Sequence, residues 1–205
     1  MPSMQIAIMI LALGISIILH ELAHGFAAYR LGDPTARNKG RLTLNPLAHV
    51  DPVGSLLLPA VLIAFQSPVL FGWAKPVPVN PMNFRDHKKG MMLVGLAGPA
   101  TNILLAVISG VLFRLLPLST DTGLGKFLVL LCLINVILAI LNLLPVPPLD
   151  GSRVVAGLIP DHMVQHYMKL QSFGFLIVLG FILIGGFDLI IIPLVRTVQN
   201  FLQLQ

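Results

Sequence analysis

Residues 4–31 read MQIAIMILALGISIILHELAHGFAAYRL. From Met4 to Leu19 the only polar side chains are Gln5 and Ser16, and then His20, Glu21 and His24 arrive within one turn and a half. At ~1.5 Å per residue such a helix is long enough to cross the ~30 Å apolar core of a bilayer. The rest of the chain agrees with that reading. Of its 205 residues 56% are hydrophobic and 10% charged, where soluble domains carry about a quarter charged residues. Mean hydropathy is +0.91. A soluble α/β domain with buried parallel strands is the alternative, but its strands would be short and these apolar runs are long. The expected class is an all-α membrane protein, a polytopic bundle of about four to six membrane helices with a short interfacial β segment.

The elements are expected as follows. The first helix runs from Met4 to Leu31 and is stopped by Gly32, Asp33 and Pro34. It has neither a basic leading region nor a small-residue cleavage site, so it reads as a retained helix and not as a signal peptide. "GRLTL", inside the basic loop that follows, alternates like a short strand. Val53–Phe65 is apolar but 13 residues long, too short for an ordinary crossing. "LFGWAKPVPVNP" carries too many prolines for a central strand and reads as an extended interfacial segment. Crossings are expected over Gly90–Leu116, Lys126–Leu144 and Met163–Gly186, a short helix over Val154–Ile159, and over Ile190–Leu204 a further apolar helix or an interfacial one. The whole reads as one domain over 1–205, with its core in about 4–160 and C-terminal helices in about 161–205. The single cysteine, Cys132, excludes an intrachain disulfide.

HELAH is H-E-x-x-H. Residues four apart share a helix face, so His20 and His24 can hold one metal ion, with Glu21 beside it as a proton acceptor. Two histidines on a helix are often only polar residues at an interface. Within an apolar membrane segment, however, ionisable groups are costly and point to function. Catalytic zinc usually takes three protein ligands. Glu21 is the only glutamate, and Asp150, after the proline-broken stretch 145–148, is the best candidate for the third. Its alternative role is a turn or N-cap for the following helix.

Charge gives the topology. The net charge is +5, and eight of the 13 basic residues (Arg30, Arg37, Lys39, Arg41, Lys75, Arg85, Lys88, Lys89) lie in the loops 30–53 and 66–89. They sit between apolar segments and not on one polar face, which argues against nucleic acid as the partner and marks both loops as cytoplasmic. Val53–Phe65 must then enter the membrane and return, or lie along it. The third crossing then ends on the side of His24, which brings Asp150 to the histidines. The expected location is the cell (inner) membrane, multi-pass, with the site toward the cytoplasm.

HELAH in one membrane segment and NLLPVPPLDG in a later one together resemble the site-2 proteases, intramembrane zinc metalloproteases of peptidase family M50. Asn142, Pro145, Pro147, Leu149, Asp150 and Gly151 match every fixed position of the second motif, N-x-x-P-x-P-x-L-D-G. "GPATN", Gly98 to Asn102, is similar to the family's G-P-x-x-N element. The loops resemble the compact branch without PDZ or CBS modules. The resemblance implies one catalytic Zn²⁺ held by His20, His24 and Asp150, with Glu21 as general base. It implies a substrate-orienting role for Asn142, and one for Asn102 whose alternative is hydrogen-bonding between helices. The implied substrate is a transmembrane segment of another protein, in the lipid bilayer. A metal-ion transporter using the same residues, and a catalytically inactive scaffold, are the rival functions. His49 and Asp51 read as a fourth ligand or gate, or as solvated loop residues. His162 and His166 read as the entrance of an amphipathic helix, and His87 as part of an interfacial basic cluster.

Overall fold

A computed structural model of the protein describes residues 2–66 and 72–203. Its α-helices are α1 (Pro2–Arg30), α2 (Thr35–Asn38), α3 (Leu58–Ala64), α4 (His87–Leu115), α5 (Gly123–Leu143), α6 (Asp150–Leu158), α7 (Asp161–Met168), α8 (Gly174–Leu183) and α9 (Ile192–Phe201). Three of the described helices are long and apolar enough to cross a membrane: Met4–Arg30, His87–Leu115 and Gly123–Leu143. α1, α4 and α5 pack on one another, and α6 lies against α4.

Each boundary has a local cause. The Asp86 carboxylate caps α4 by accepting from Lys88 N at 3.1 Å and Lys89 N at 3.0 Å. The Thr122 hydroxyl caps α5 by accepting from Gly125 N at 3.0 Å. α5 ends where Pro145, Pro147 and Pro148 remove three backbone donors. α6 begins at Asp150, four residues earlier than the expected Val154. The alternative N-cap role for Asp150 does not occur: Leu149 is the cap, and Asp150 lies in the first turn of the helix.

The described residues give three helices of crossing length, or four if a bent stretch counts as one span, against the expected four to six. The stretch expected to cross as Met163–Gly186 is bent by 70° between Asp161–Phe173 and Leu176–Leu183, so it adds at most one to the three. Its first part carries His162, Gln165, His166, Lys169 and Gln171, side chains that are better kept in water than in lipid. α9 has 10 residues, too few to cross. Leu204, the end of the last expected helix, lies outside the described residues.

Pro52–Ala64 forms a short apolar helix, and the chain then comes back on itself. Trp73 N donates to Gly54 O at 3.2 Å, and the Ser55 hydroxyl donates to Trp73 O at 2.8 Å. Residues 54 and 73 are therefore side by side, as expected for a segment that enters or skirts the membrane without crossing it.

The interfacial β segment is a correction: among the described residues there is no strand. Arg41–Leu44 is irregular. The extended stretch 72–80 forms no ladder, because its backbone donors go elsewhere. Pro76 and Pro78 have no N–H, Val77 N donates to the Glu21 carboxylate at 2.8 Å, and Asn80 N donates to the Asp33 carboxylate at 2.7 Å. Leu70 and Phe71, which open the expected segment, lie outside the described residues.

Asp33 is thus more than a helix stop. Fully buried, it accepts from Asn80 N, Asn83 Nδ2 (2.6 Å), Thr35 N (3.0 Å) and the Thr35 hydroxyl (2.5 Å). Burial pushes its carboxyl up, but these hydrogen bonds outweigh burial and hold it below the usual carboxylate range. A lowered folded-state pKa contributes stability that is present above the unfolded value and is lost as pH falls through the folded one. Asp33→Asn is expected to cost about 2 kcal/mol at neutral pH. Thermal unfolding in detergent micelles should show the gap to the wild type narrowing in acid.

Candidate metal centre

α1 presents His20 and His24 one turn apart on the face that meets α4, and the first turn of α6 brings Asp150 to them. The three are 7%, 4% and 6% exposed. His20 Nε2 and His24 Nε2 are 3.0 Å apart, and each is 3.1 Å from Asp150 Oδ2. The imidazoles stand edge to face, 88° between planes.

The hydrogen bonds behind the rings show the Nδ1 of each to be a donor. Asn135 Nδ2 lies 2.8 Å from the Leu131 carbonyl, which can only accept, so that atom is a donor. Its second contact is to the Ser16 hydroxyl at 2.8 Å, which in turn donates to Ala12 O at 2.7 Å. Asn135 Oδ1 is then left to accept from Asn102 Nδ2 at 2.9 Å. Asn102 Oδ1 in turn accepts from His20 Nδ1 at 2.5 Å. His24 Nδ1 donates to the Val94 carbonyl at 2.7 Å, on α4 a little over one turn before Pro99. With both Nδ1 atoms protonated, the neutral rings turn bare Nε2 lone pairs toward each other and toward a carboxylate oxygen.

Three acceptors at 3.0–3.1 Å with no proton among them repel one another unless a cation sits between them. The donor set is two imidazole nitrogens and one carboxylate oxygen, which suits zinc. Tetrahedral zinc with bonds of about 2.0–2.1 Å sets its ligands roughly 3.3 Å apart, close to this triangle. Asp150 Oδ1 is 3.2 Å from the Arg153 guanidinium, which leaves Oδ2 for the site. The N-terminal turn of α6 adds a favourable dipole for the carboxylate. Among the described residues, His20, His24 and Asp150 are the His/Cys/Asp/Glu group with metal-holding spacing.

Glu21 is turned about 100° from His20 on α1, and its Oε2 accepts from Val77 N at 2.8 Å. Asn102 sits where the sequence left two options. It is fully buried and bridges His20 and Asn135, which places it in the helix-to-helix bonding role. Asn142, in the last turn of α5, donates to its own helix at Leu138 O, 3.0 Å away. Asp51 spends Oδ1 on Val53 N (3.0 Å) and Gly54 N (2.7 Å), capping the short helix. His49 is buried with Nε2 2.9 Å from Thr43 O. Neither joins the three-residue set. His162 and His166 are both exposed on α7, with His166 Nδ1 3.3 Å from the His162 carbonyl. His87 Nδ1 sits 2.6 Å from Pro81 O, near the start of α4.

Ser16, Asn135 and Arg153 did not stand out in the sequence. Ser16 lies four residues before His20 and Arg153 three after Asp150, spacings that put each on the face of its helix that meets the site.

The peptidase family M50 model matches residues 117–185. "Putative zinc metalloprotease YwhC" of Bacillus subtilis (strain 168) is 39% identical over 178 residues, covering 83% of this chain and 78% of that protein. "Putative zinc metalloprotease Rip2" of Mycolicibacterium smegmatis is 34% identical over 163 residues, covering 80% of this chain and 61% of that protein. "Zinc metalloprotease MJ0392" of Methanocaldococcus jannaschii is 24% identical over 155 residues, covering 75% of this chain and 34% of that protein. No solved structure matches.

Proposed function

We infer that this chain, which belongs to peptidase family M50, cuts a peptide bond in or near a transmembrane segment of another protein. It is a zinc metalloprotease. The observation that carries the reading is the convergence of His20 Nε2, His24 Nε2 and Asp150 Oδ2 at 3.0–3.1 Å with their protons directed outward. These three would hold one zinc ion. When bound, it supplies Lewis-acid polarisation of the scissile carbonyl and acidifies a water.

The chain's own residues do the rest. Glu21 takes the proton of the attacking water and returns it to the leaving amine. Asn102 and Val94 O hold the two imidazoles in the tautomer that keeps Nε2 bare. Arg153 holds one oxygen of Asp150. Asn142 would orient the substrate backbone as a helical substrate unwinds. The basic loops around the site favour its facing the cytoplasm, in the cell membrane.

Metal removal tests the reading. Protein purified in micelles should carry one zinc per chain. A chelator should abolish cleavage of an internally quenched transmembrane peptide, and added zinc should restore it. Cleavage that survives complete zinc removal ends the proposal.

A further inference from the structure

We propose that Arg41 is a positioning residue for Glu21, acting through the backbone of residues 75–77. This rests on the reading of Glu21 as the base.

Arg41 is a cation buried to 8% exposure. Nη2 donates to the Lys75 carbonyl at 2.7 Å, while Nε has no partner. No carboxylate pairs with it among the described residues. A buried, unpaired guanidinium is costly, so its one contact is a candidate for a role beyond packing. That contact is half of a clamp. Lys75 N donates to the His49 carbonyl at 2.9 Å, so both backbone polar groups of residue 75 are held. Pro76 and Pro78 can offer no N–H. The next fixed donor is therefore Val77 N, and it is on Glu21 Oε2 at 2.8 Å.

Packing against α1 follows the same line. Gly25 lies four residues after Glu21 and so shares its helix face. A Cβ there would lie 2.6 Å from the Leu42 side chain and 2.9 Å from that of Val77. The loop carrying Arg41 and the stretch carrying Val77 thus seat together on bare α1 backbone, one turn from the base. Arg41 sets where residue 75 stands, residue 75 sets where Val77 N points, and Val77 N sets the carboxylate. Misplacing a reacting group by about 1 Å can cost roughly 100-fold in rate.

The test uses the full chain in micelles with Arg41→Met, Arg41→Lys and Val77→Pro, the last removing the backbone donor between two existing prolines, together with the Val77 side chain packed at Gly25. The readouts are zinc content, kcat and KM on an internally quenched transmembrane peptide, and hydrogen exchange of the Val77 amide. Arg41→Met is expected to lower kcat about tenfold or more with KM and zinc unchanged, and to speed Val77 exchange about tenfold. Arg41→Lys, which keeps a donor to the Lys75 carbonyl, should recover part of both. In the Val77→Pro background, Arg41→Met should lower kcat little further. Undiminished protection of the Val77 amide in Arg41→Met overturns the proposal, as does a full additive loss in the Val77→Pro background or a change in KM alone. The exchange readout needs no turnover, so it stands apart from any failure of Glu21 as the base. If Arg41→Met does not fold, Arg41→Lys, alone and in the Val77→Pro background, gives the same decision.

Discussion

A Gly98→Ala variant is expected to insert and fold but to lose its zinc. The reason is geometric. A Cβ on Gly98 would lie 2.5 Å from both His20 Cε1 and His24 Nε2, and 2.6 Å from His20 Nε2. Real Cβ contacts do not come so close, so both rings would have to withdraw. They cannot withdraw freely, because His20 is tied to Asn102 and His24 to the Val94 carbonyl, and both partners are on α4 with Gly98 itself. The methyl group and the ring anchors therefore compete over the same few ångströms. Losing the orienting bonds of metal-ligating histidines typically weakens metal binding about 10–100-fold, and displacing both rings should reach the upper end. The helix itself gains, since Ala is favoured over Gly in a helix interior by about 1 kcal/mol. Zinc analysis beside thermal unfolding should thus show an intact fold with a depleted site. A Gly98→Ala protein with a full complement of zinc would contradict both the geometry and the ligand assignment.

That glycine marks the limit of what the sequence made legible. The three crossings were readable because apolar runs of this length have few alternatives in water. The clustering of His20, His24 and Asp150 was expected because H-E-x-x-H puts two side chains on one helix face, and because the charge of the loops 30–53 and 66–89 argues for the direction of each crossing. That argument put Asp150 on the side of His24, and the structure brings them to 3.1 Å. Gly98 was visible only as a letter in a motif, since nothing in a sequence says which side chain will press on a glycine.

The misses share a cause as well. "GRLTL" alternates like a strand, and 72–80 is extended as its prolines demanded, yet no ladder forms. A strand needs a partner whose backbone groups are free, and here the donors of Val77 and Asn80 are taken by Glu21 and Asp33. Local pattern cannot report that competition, because the acceptors are 56 and 47 residues away. The same holds for Asn135 and Ser16. Each looks like an isolated polar residue in an apolar helix. Only the packing of α1, α4 and α5 shows them to be one chain of hydrogen bonds ending on His20. Asp33 and Arg41 were counted as a helix stop and a positive charge, and both turn out to be buried anchors of the stretch beside the base.

Glu21→Gln is expected to keep the zinc and abolish most of the cleavage. Glu21 is outside the His20–His24–Asp150 triangle, so its charge is not needed to hold the metal. Gln also retains a side-chain oxygen that can accept from Val77 N, so the stretch 72–80 should stay seated and substrate binding should change little. What the amide cannot do is take a proton from water and hand it to the leaving amine. Removing a general acid–base typically costs about 10²–10⁴ in rate, or roughly 3–5 kcal/mol of barrier. The loss should fall on kcat, with KM near that of the wild type, in contrast to changes at the three ligands, which should lower zinc content first. Glu21→Ala is a sharper contrast, since it also gives up the Val77 anchor and should speed exchange of that amide, whereas Glu21→Gln should not. Kinetics on an internally quenched transmembrane peptide, read beside zinc content, separate these cases. Near wild-type kcat in Glu21→Gln would sink the assignment of the base while leaving the metal site standing, and the proton would then have to be carried by another group.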